Sequence, residues 1–219
     1  MAVFPRALAA AAFLLACFAA ACASHPAAAI RPFQPVVEEQ RAPTMAAWRD
    51  AVRRADSLPP SRLLYDARFG RTGVQMSGTL AVVATPENLR ATATGPFGSA
   101  LAQYENGALR FKGREPLFLD PDLLRGALAG IWKDGPPTIV GSSGADRLLR
   151  WNGQGVTAEA VFDVTAARVK SLRVTGAHGE VSVVFSGAFD PWPRVVELSE
   201  TKSGQHLRLK RVAIEPIGE

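Results

Sequence analysis

The groups that could carry catalysis or hold a metal are few, and their spacing suits neither task. The three histidines, His25, His178 and His206, lie far apart. None has a second ligand at the short intervals that zinc sites use, and none is an obvious base for a serine. Asp120 and Asp122 are close together, but they open a predicted helix, where acidic side chains favour the positive end of the helix dipole. Glu159 and Asp163 fall on one predicted strand with no partner recognisable in the sequence. Gly141-Ser142-Ser143-Gly144 lacks the lysine and the strand-to-helix setting of a phosphate loop. Gly95-Pro96-Phe97-Gly98 lacks the spacing of a nucleophile elbow. The reading is of a protein that is not an enzyme, with no metal and no cofactor expected.

Cys17 and Cys22 offer a different chemistry. They are the only cysteines, so the body of the chain has no disulfide framework. Both follow an apolar run, Ala7 to Ala16, that a short segment carrying Arg6 precedes. This is the order of a secretory signal, and the run is short for a membrane span of about 20 residues. Leu14-Leu15-Ala16-Cys17 and Ala19-Ala20-Ala21-Cys22 both resemble a bacterial lipobox, in which the cysteine is acylated and becomes the mature N-terminus. Cys22 sits at the cleaner boundary and is the expected lipidation site, with Cys17 the alternative; an ordinary cleaved signal would discard both. No Asp follows either cysteine, which by resemblance to sorted bacterial lipoproteins favours the outer membrane.

The elements that would position anything else are mostly strands. With 219 residues, 47% hydrophobic and 21% charged, the chain suits one globular domain plus a tail. Residues 1–21 read as the signal, 22–43 as a Pro-rich extended tether reaching ~60 Å, and 44–219 as the domain. The net charge of +5 is scattered; it could favour anionic head groups but implies no nucleic acid. The one tight basic group, Arg49, Arg53 and Arg54, reads as a solvated helix face. Thr44 is the expected N-cap of a helix carrying Met45, Trp48, Val52 and Ala55 on one stripe. Leu123, Leu124, Ala127, Leu128, Ile131 and Trp132 define a second apolar helix, in which Gly126 and Gly130 mark either a mobile cover or close packing. The rest alternates with period two, with a hairpin at Asn106-Gly107 and a bulge expected near Lys210 or Arg211, where the last strand shifts phase. The expected class is mainly β (α+β): a curved antiparallel half-barrel of about ten strands, with helices as a lid.

Against this background Gly95-Pro96-Phe97-Gly98 is odd. It joins two predicted strands across Leu89–Tyr104, yet its tip holds an aromatic ring. Connections run over the surface and normally carry polar residues there. Phe97 must therefore either fold back onto the core or stand out for something apolar.

These residues resemble the LolB-type outer-membrane lipoprotein receptor, within the broader LolA/LolB-like fold. The match rests on Leu89–Tyr104 with its Gly95-Pro96-Phe97-Gly98-Ser99 turn, and on the Trp-bearing helix before the first strand. The Leu123–Trp132 helix with the Gly-Pro break after it, and the final hairpin with Leu207-Arg208-Leu209-Lys210, agree too. The resemblance implies a lipid-anchored acceptor on the periplasmic face of the outer membrane. It would take acylated lipoproteins from a periplasmic carrier into an apolar cavity and insert them into outer-membrane lipid, acting as a monomer. The loop Gly95, Pro96, Phe97 and Gly98 would then be the membrane-insertion element. Cavity candidates are Met76, Leu80, Val82, Leu89, Leu109, Phe111, Leu128, Trp132, Trp151 and Phe185. The alternative is a fold-related structural or assembly lipoprotein that binds a protein partner or a single lipid. Mass spectrometry of the mature N-terminus should find an acylated Cys22; an unmodified terminus further along the chain would remove the anchor.

Overall fold

Alternation of apolar and polar residues builds a single antiparallel sheet whose two ends in space do not meet. The computed structural model describes residues 32–71, 74–85, 88–105, 108–111, 121–132, 135–153, 155–177 and 179–218. The side chains of residues 108, 109, 111, 121, 122, 124 and 125 lie outside that description. So do Cys17, Cys22, His25, Asn106-Gly107, Asp120 and His178. Phe33–Glu219 forms one compact unit. Its strands are β1 (Ser61–Arg71), β2 (Val74–Ala84), β3 (Leu89–Thr94), β4 (Ala100–Glu105), β5 (Ala108–Phe111), β6 (Thr138–Ser143), β7 (Asp146–Asn152), β8 (Thr157–Asp163), β9 (Arg168–Gly176), β10 (Gly179–Asp190), β11 (Trp192–Glu200) and β12 (His206–Pro216). The helices are α1 (Glu38–Asp56) and α2 (Pro121–Ala129).

The sheet order is β5-β4-β3-β2-β1-β12-β11-β10-β9-β8-β7-β6. Two meanders are thus stitched together by β1 and β12, giving a curved, open half-barrel. Twelve strands replace the ten or so expected. The additional strand, β6, follows Gly135-Pro136-Pro137 and runs into Gly141-Ser142-Ser143, so its sequence reads as loop. Its outer edge is covered: Gln34 exchanges both backbone hydrogen bonds with Ser142, at 2.9 and 2.8 Å. Phe33 lies over Gly141, where a Cβ would stand 2.7 Å from the Phe33 Cβ. Residues 34–43, expected as the end of an extended tether, instead join the sheet edge at Gln34 and are helical from Glu38.

Helix α1 starts upstream of the expected Thr44 cap. Thr44 is buried inside the helix, and its hydroxyl donates back to the Gln40 carbonyl at 2.7 Å. Glu38 and Glu39 occupy the first turn, and Arg53 and Arg54 the last, as the helix dipole favours. The buried stripe includes Trp48 and Ala51. Trp48 packs against Trp151 of β7 at 5.2 Å and edge-on against Phe162 of β8 at 5.7 Å. Such ring pairs add about 0.5–1.5 kcal/mol beyond the area they bury. The Arg54 guanidinium also donates to the Ala167 carbonyl in the β8–β9 turn.

One face of the sheet is apolar along its whole width. One cross-strand row reads Met76, Phe69, Leu207, Leu198, Val183, Leu172, Ala160 and Leu149. Other rows of the same face carry Leu63, Val82 and Ala91, and Trp151, Ala158 and Val174. The phase shift in β12 has the expected cause. The register with β1 jumps between Leu64 and Tyr65, which leaves Val212 as the extra residue, next to the expected position.

Helix α2 is close-packed. Its chain leaves through Gly130 at φ 71°, and the Ile131 N–H donates to the Gly126 carbonyl at 3.1 Å, the 6→1 bond of a Schellman end. The Trp132 ring lies over Gly126, and a Cβ at Gly130 would meet Phe189 at 2.5 Å. Both glycines therefore permit contact with neighbouring rings, and neither requires a moving cover.

Trp48→Ala should destabilise the domain by about 3–5 kcal/mol, measured by urea unfolding followed by circular dichroism. A loss under about 1 kcal/mol would make α1 a loose strap.

Candidate functional site

The loop between β3 and β4 is built to hold one ring away from the protein. The Gly98 N–H donates to the Gly95 carbonyl at 3.0 Å, and the Gly95 N–H donates to the Ser99 carbonyl at 3.0 Å. Gly98 has φ 73°. This is the bonding of a three-residue hairpin loop ending in a left-handed glycine. Pro96 fixes the backbone at the first loop position, which leaves Phe97 at the tip. Phe97 is 96% exposed, and the most exposed of the other large apolar side chains described is Val74 at 62%. The ring does not fold back onto the core.

The base of the loop rests on β2. Gly78 lies beneath the end of β3, where a Cβ would come within 2.0 Å of the Thr94 carbonyl oxygen. Only a residue without a side chain allows that approach. Beside it the Thr79 and Thr94 hydroxyls are 2.6 Å apart and hydrogen-bonded. Gly78 is a positioning residue, and its one sequence signal was a glycine inside an otherwise regular strand. Beyond Thr79↔Thr94, β2 has no partner on the β3 side, so Val74 to Gly78 project past the end of β3. That projection carries Val74 and Met76, which is 44% exposed, at the same end of the sheet as Phe97. The result is an apolar rim crowned by one displayed aromatic ring.

The remaining candidates divide by position. Leu80, Val82 and Leu89 are buried on the inner face of β2 and β3, and Leu128 is buried on α2. Trp151 is buried under Trp48, and its indole N–H donates to the Gly135 carbonyl at 3.0 Å. Phe185 is buried beside Phe189, with ring centroids 6.0 Å apart. Trp132 is half-buried. Leu109 and Phe111 face Tyr104 and Ala102 across the β4–β5 ladder, and their side chains lie outside the described residues.

Of the acidic residues that drew attention in the sequence, Glu159 and Asp163 are cross-strand partners, and the side chains of Asp120 and Asp122 lie outside the described residues. Glu159 accepts two hydrogen bonds from Arg150, at 2.8 and 2.6 Å. Asp163 and Asp146 both pair with Lys170. Backbone N–H donation from Ala166, with help from Lys170, holds the Asp163 carboxyl below its usual range. The His206 ring is packed on the backbone of Gly70. No group of three His, Cys, Asp or Glu side chains able to hold a metal exists among the described residues.

On the inner face one polar pair stands out. Tyr65 is fully buried, its hydroxyl has no hydrogen-bond partner among the described residues, and burial raises its pKa to about 12. Arg211 lies opposite it across the β1–β12 ladder.

No family model and no curated protein matches the chain. Solved structures do. A LolA-superfamily protein from Nitrosomonas europaea aligns with TM-score 0.55 and 12% identity, over 78% of this chain and 94% of its own. A DUF1329-family protein from Desulfovibrio piger aligns with TM-score 0.51 and 10% identity, over 80% and 93%. A domain assigned to outer membrane lipoprotein sorting, from Vibrio parahaemolyticus, aligns with TM-score 0.50 and 6% identity, over 79% and 92%. At these identities the likeness is one of fold. The chain has a LolA/LolB-like open half-barrel.

Two substitutions test the geometry. Phe97→Glu should leave the unfolding free energy within about 0.5 kcal/mol of the parent, as at other solvated positions. Gly78→Ala should cost about 1–3 kcal/mol through overpacking. Chemical denaturation of both variants checks the pair, and the reverse order of effects would contradict the loop's construction.

Proposed function

We propose that the protein is a lipid-anchored acceptor on the periplasmic face of the outer membrane. It receives acyl chains of lipoproteins on the inner face of the half-barrel and passes them into the bilayer through the Phe97 loop. The observation that carries this reading is the exposure of Phe97 on a braced turn. A free phenylalanine on a hairpin tip gains nothing in water. Fully burying such a ring contributes about 1.5–3 kcal/mol, enough for reversible contact with a bilayer. A lipid anchor at Cys22 would keep the loop at high effective concentration near that surface.

The physics of transfer also suits a chain that lacks a recognisable catalytic arrangement. Each acyl CH₂ in water costs about 0.8 kcal/mol, so a triacylated cargo cannot cross the periplasm unshielded. Handing the chains from a carrier's apolar face to another, and then to lipid, keeps that term nearly constant at every stage. Small affinity differences then set the direction. No described helix is long and apolar enough to cross a membrane, so attachment in this reading comes from the acylated N-terminus and the loop.

The test is a transfer assay. The purified protein should take an acylated lipoprotein from its periplasmic carrier and deliver it to vesicles. Phe97→Glu should still take the cargo but deliver it at least about tenfold more slowly. Binding without delivery by the parent protein would favour the assembly-lipoprotein alternative, and failure to take any cargo would exclude the acceptor reading.

A further inference from the structure

Three buried aromatic side chains carry hydrogen-bond donors with no acceptor among the described residues. The Tyr65 hydroxyl, the Trp192 Nε1 and the Trp132 Nε1 are all buried atoms without a partner among the described residues. An indole N–H can only donate, and a phenol that titrates at about 12 remains protonated at neutral pH. Native structures rarely leave such groups unpaired; where the fold supplies no partner, a water or a ligand does.

Strand register and backbone contacts bring Tyr65, Arg211 and the backbone of Trp192 together, with the end of α2 against the next residue, Pro193. Arg211 shares a cross-strand row with Tyr65, Leu80 and Ala93, so a guanidinium interrupts an otherwise apolar row. Arg211 keeps the inward phase of Leu207 and Leu209, and the bulge at Val212 changes the phase of β12 only after it. The Arg211 Nη1 donates to the carbonyls of Trp192 at 2.7 Å and Asp190 at 2.8 Å, which holds the cation beside Trp192. Pro193, next in the chain, comes within 3.1 Å of where a Gly130 Cβ would be, and Trp132 follows Gly130 at the end of α2.

We propose that Tyr65, Arg211, Trp192 and Trp132 form a polar anchor for the acyl-ester carbonyls of a diacylglyceryl group, whose chains lie along the apolar inner face. The inference deepens the acyl-binding reading and rests on it. The ligand's chemistry follows from the donors. Their partner must be an acceptor, it must be small enough to sit beneath α2, and it must be continuous with something apolar. An ester carbonyl at the head of an acyl chain meets all three conditions, as would the carboxylate of a free fatty acid. The neutral ester is favoured because Arg211 already spends donors on two backbone carbonyls. The anchor would register the cargo's head group, while the chains supply affinity without position.

The experiment uses the full mature chain with 1,2-dihexanoylglycerol, its dihexyl ether analogue, which lacks the carbonyls, and octanoate. The ester should bind at least about fivefold more tightly than the ether and more tightly than octanoate, and Tyr65→Phe should abolish that preference while the ether binds as before. In ¹⁵N-labelled protein the Trp132 and Trp192 indole N–H signals should shift with the ester, while that of Trp151, already bonded to Gly135, stays in place. Unliganded Tyr65→Phe should be at least as stable as the parent, because it removes an unpaired buried hydroxyl. Equal binding of ester and ether would overturn the anchor and leave acyl binding standing. Tighter binding of octanoate would replace the ester with a free fatty acid. Binding of none of the three would remove the acyl reading along with the anchor. A Tyr65→Phe variant that unfolds would show that the hydroxyl is a structural partner, which also overturns the proposal; Trp192→Phe, judged by the same ester preference, tests the donor set independently.

Discussion

The ladder between β1 and β12 is the constraint on which the rest of the molecule depends. It joins the first strand to the last, and so makes one surface from two meanders that share no other strand pairing. Pairing of this kind is long-range, so its loop-closure cost is met only when the inner face is covered. Trp48 and α2 supply that cover: the first packs on β7 and β8, and the second on β11. The ladder also contains a bulge. Arg211 faces inward opposite Tyr65 in the same phase as Leu207 and Leu209; the bulge at Val212 comes after it and lets Ile214, not Ala213, resume the row of Leu63. A regular strand would have kept a single phase from Leu207 onward.

The two ends of the sheet then serve different purposes. Near Asp190 and Trp192 the inner face holds donors within apolar surroundings. Toward the β1–β2 and β3–β4 turns it becomes an apolar rim, with Met76, Val74 and Phe97 exposed. An open sheet with those ends is suited to carrying an amphiphile whose head and tail are recognised by different means. The cross-strand ion pairs of Glu159 and of Asp163 with Lys170 contribute strand register, which accounts for carboxylates that resemble catalytic candidates in sequence alone.

Much of this was legible in the residues. Period-two alternation gave the strands and their antiparallel rhythm, and the phase change after Leu209 located the bulge to within a residue or two. Gly95-Pro96-Phe97-Gly98 could be recognised as a turn with an anomalous tip, but whether the ring stood out or folded in was decided by packing that no local pattern encodes. Strand β6 was missed because its edge is protected by Gln34, a partner far away in sequence, so Gly141-Ser142-Ser143 could be paired without looking like a strand. The start of α1 was missed because Pro43 lies inside the helix and Val37 offers no side-chain cap. The roles of Gly78 and of the Tyr65–Arg211 pair were not legible for a related reason: each depends on which residue lies opposite on a neighbouring strand, and register is a tertiary property.

In the proposed transfer, Phe97 enters lipid. The most direct measurement places 4-fluorophenylalanine at position 97 and records its ¹⁹F signal with the protein on phospholipid vesicles. Insertion should produce broadening by a spin label in the acyl region and protection from a water-soluble relaxation agent. A signal that stays open to the aqueous agent and insensitive to the lipid label, with the protein bound to the vesicles, would contradict it.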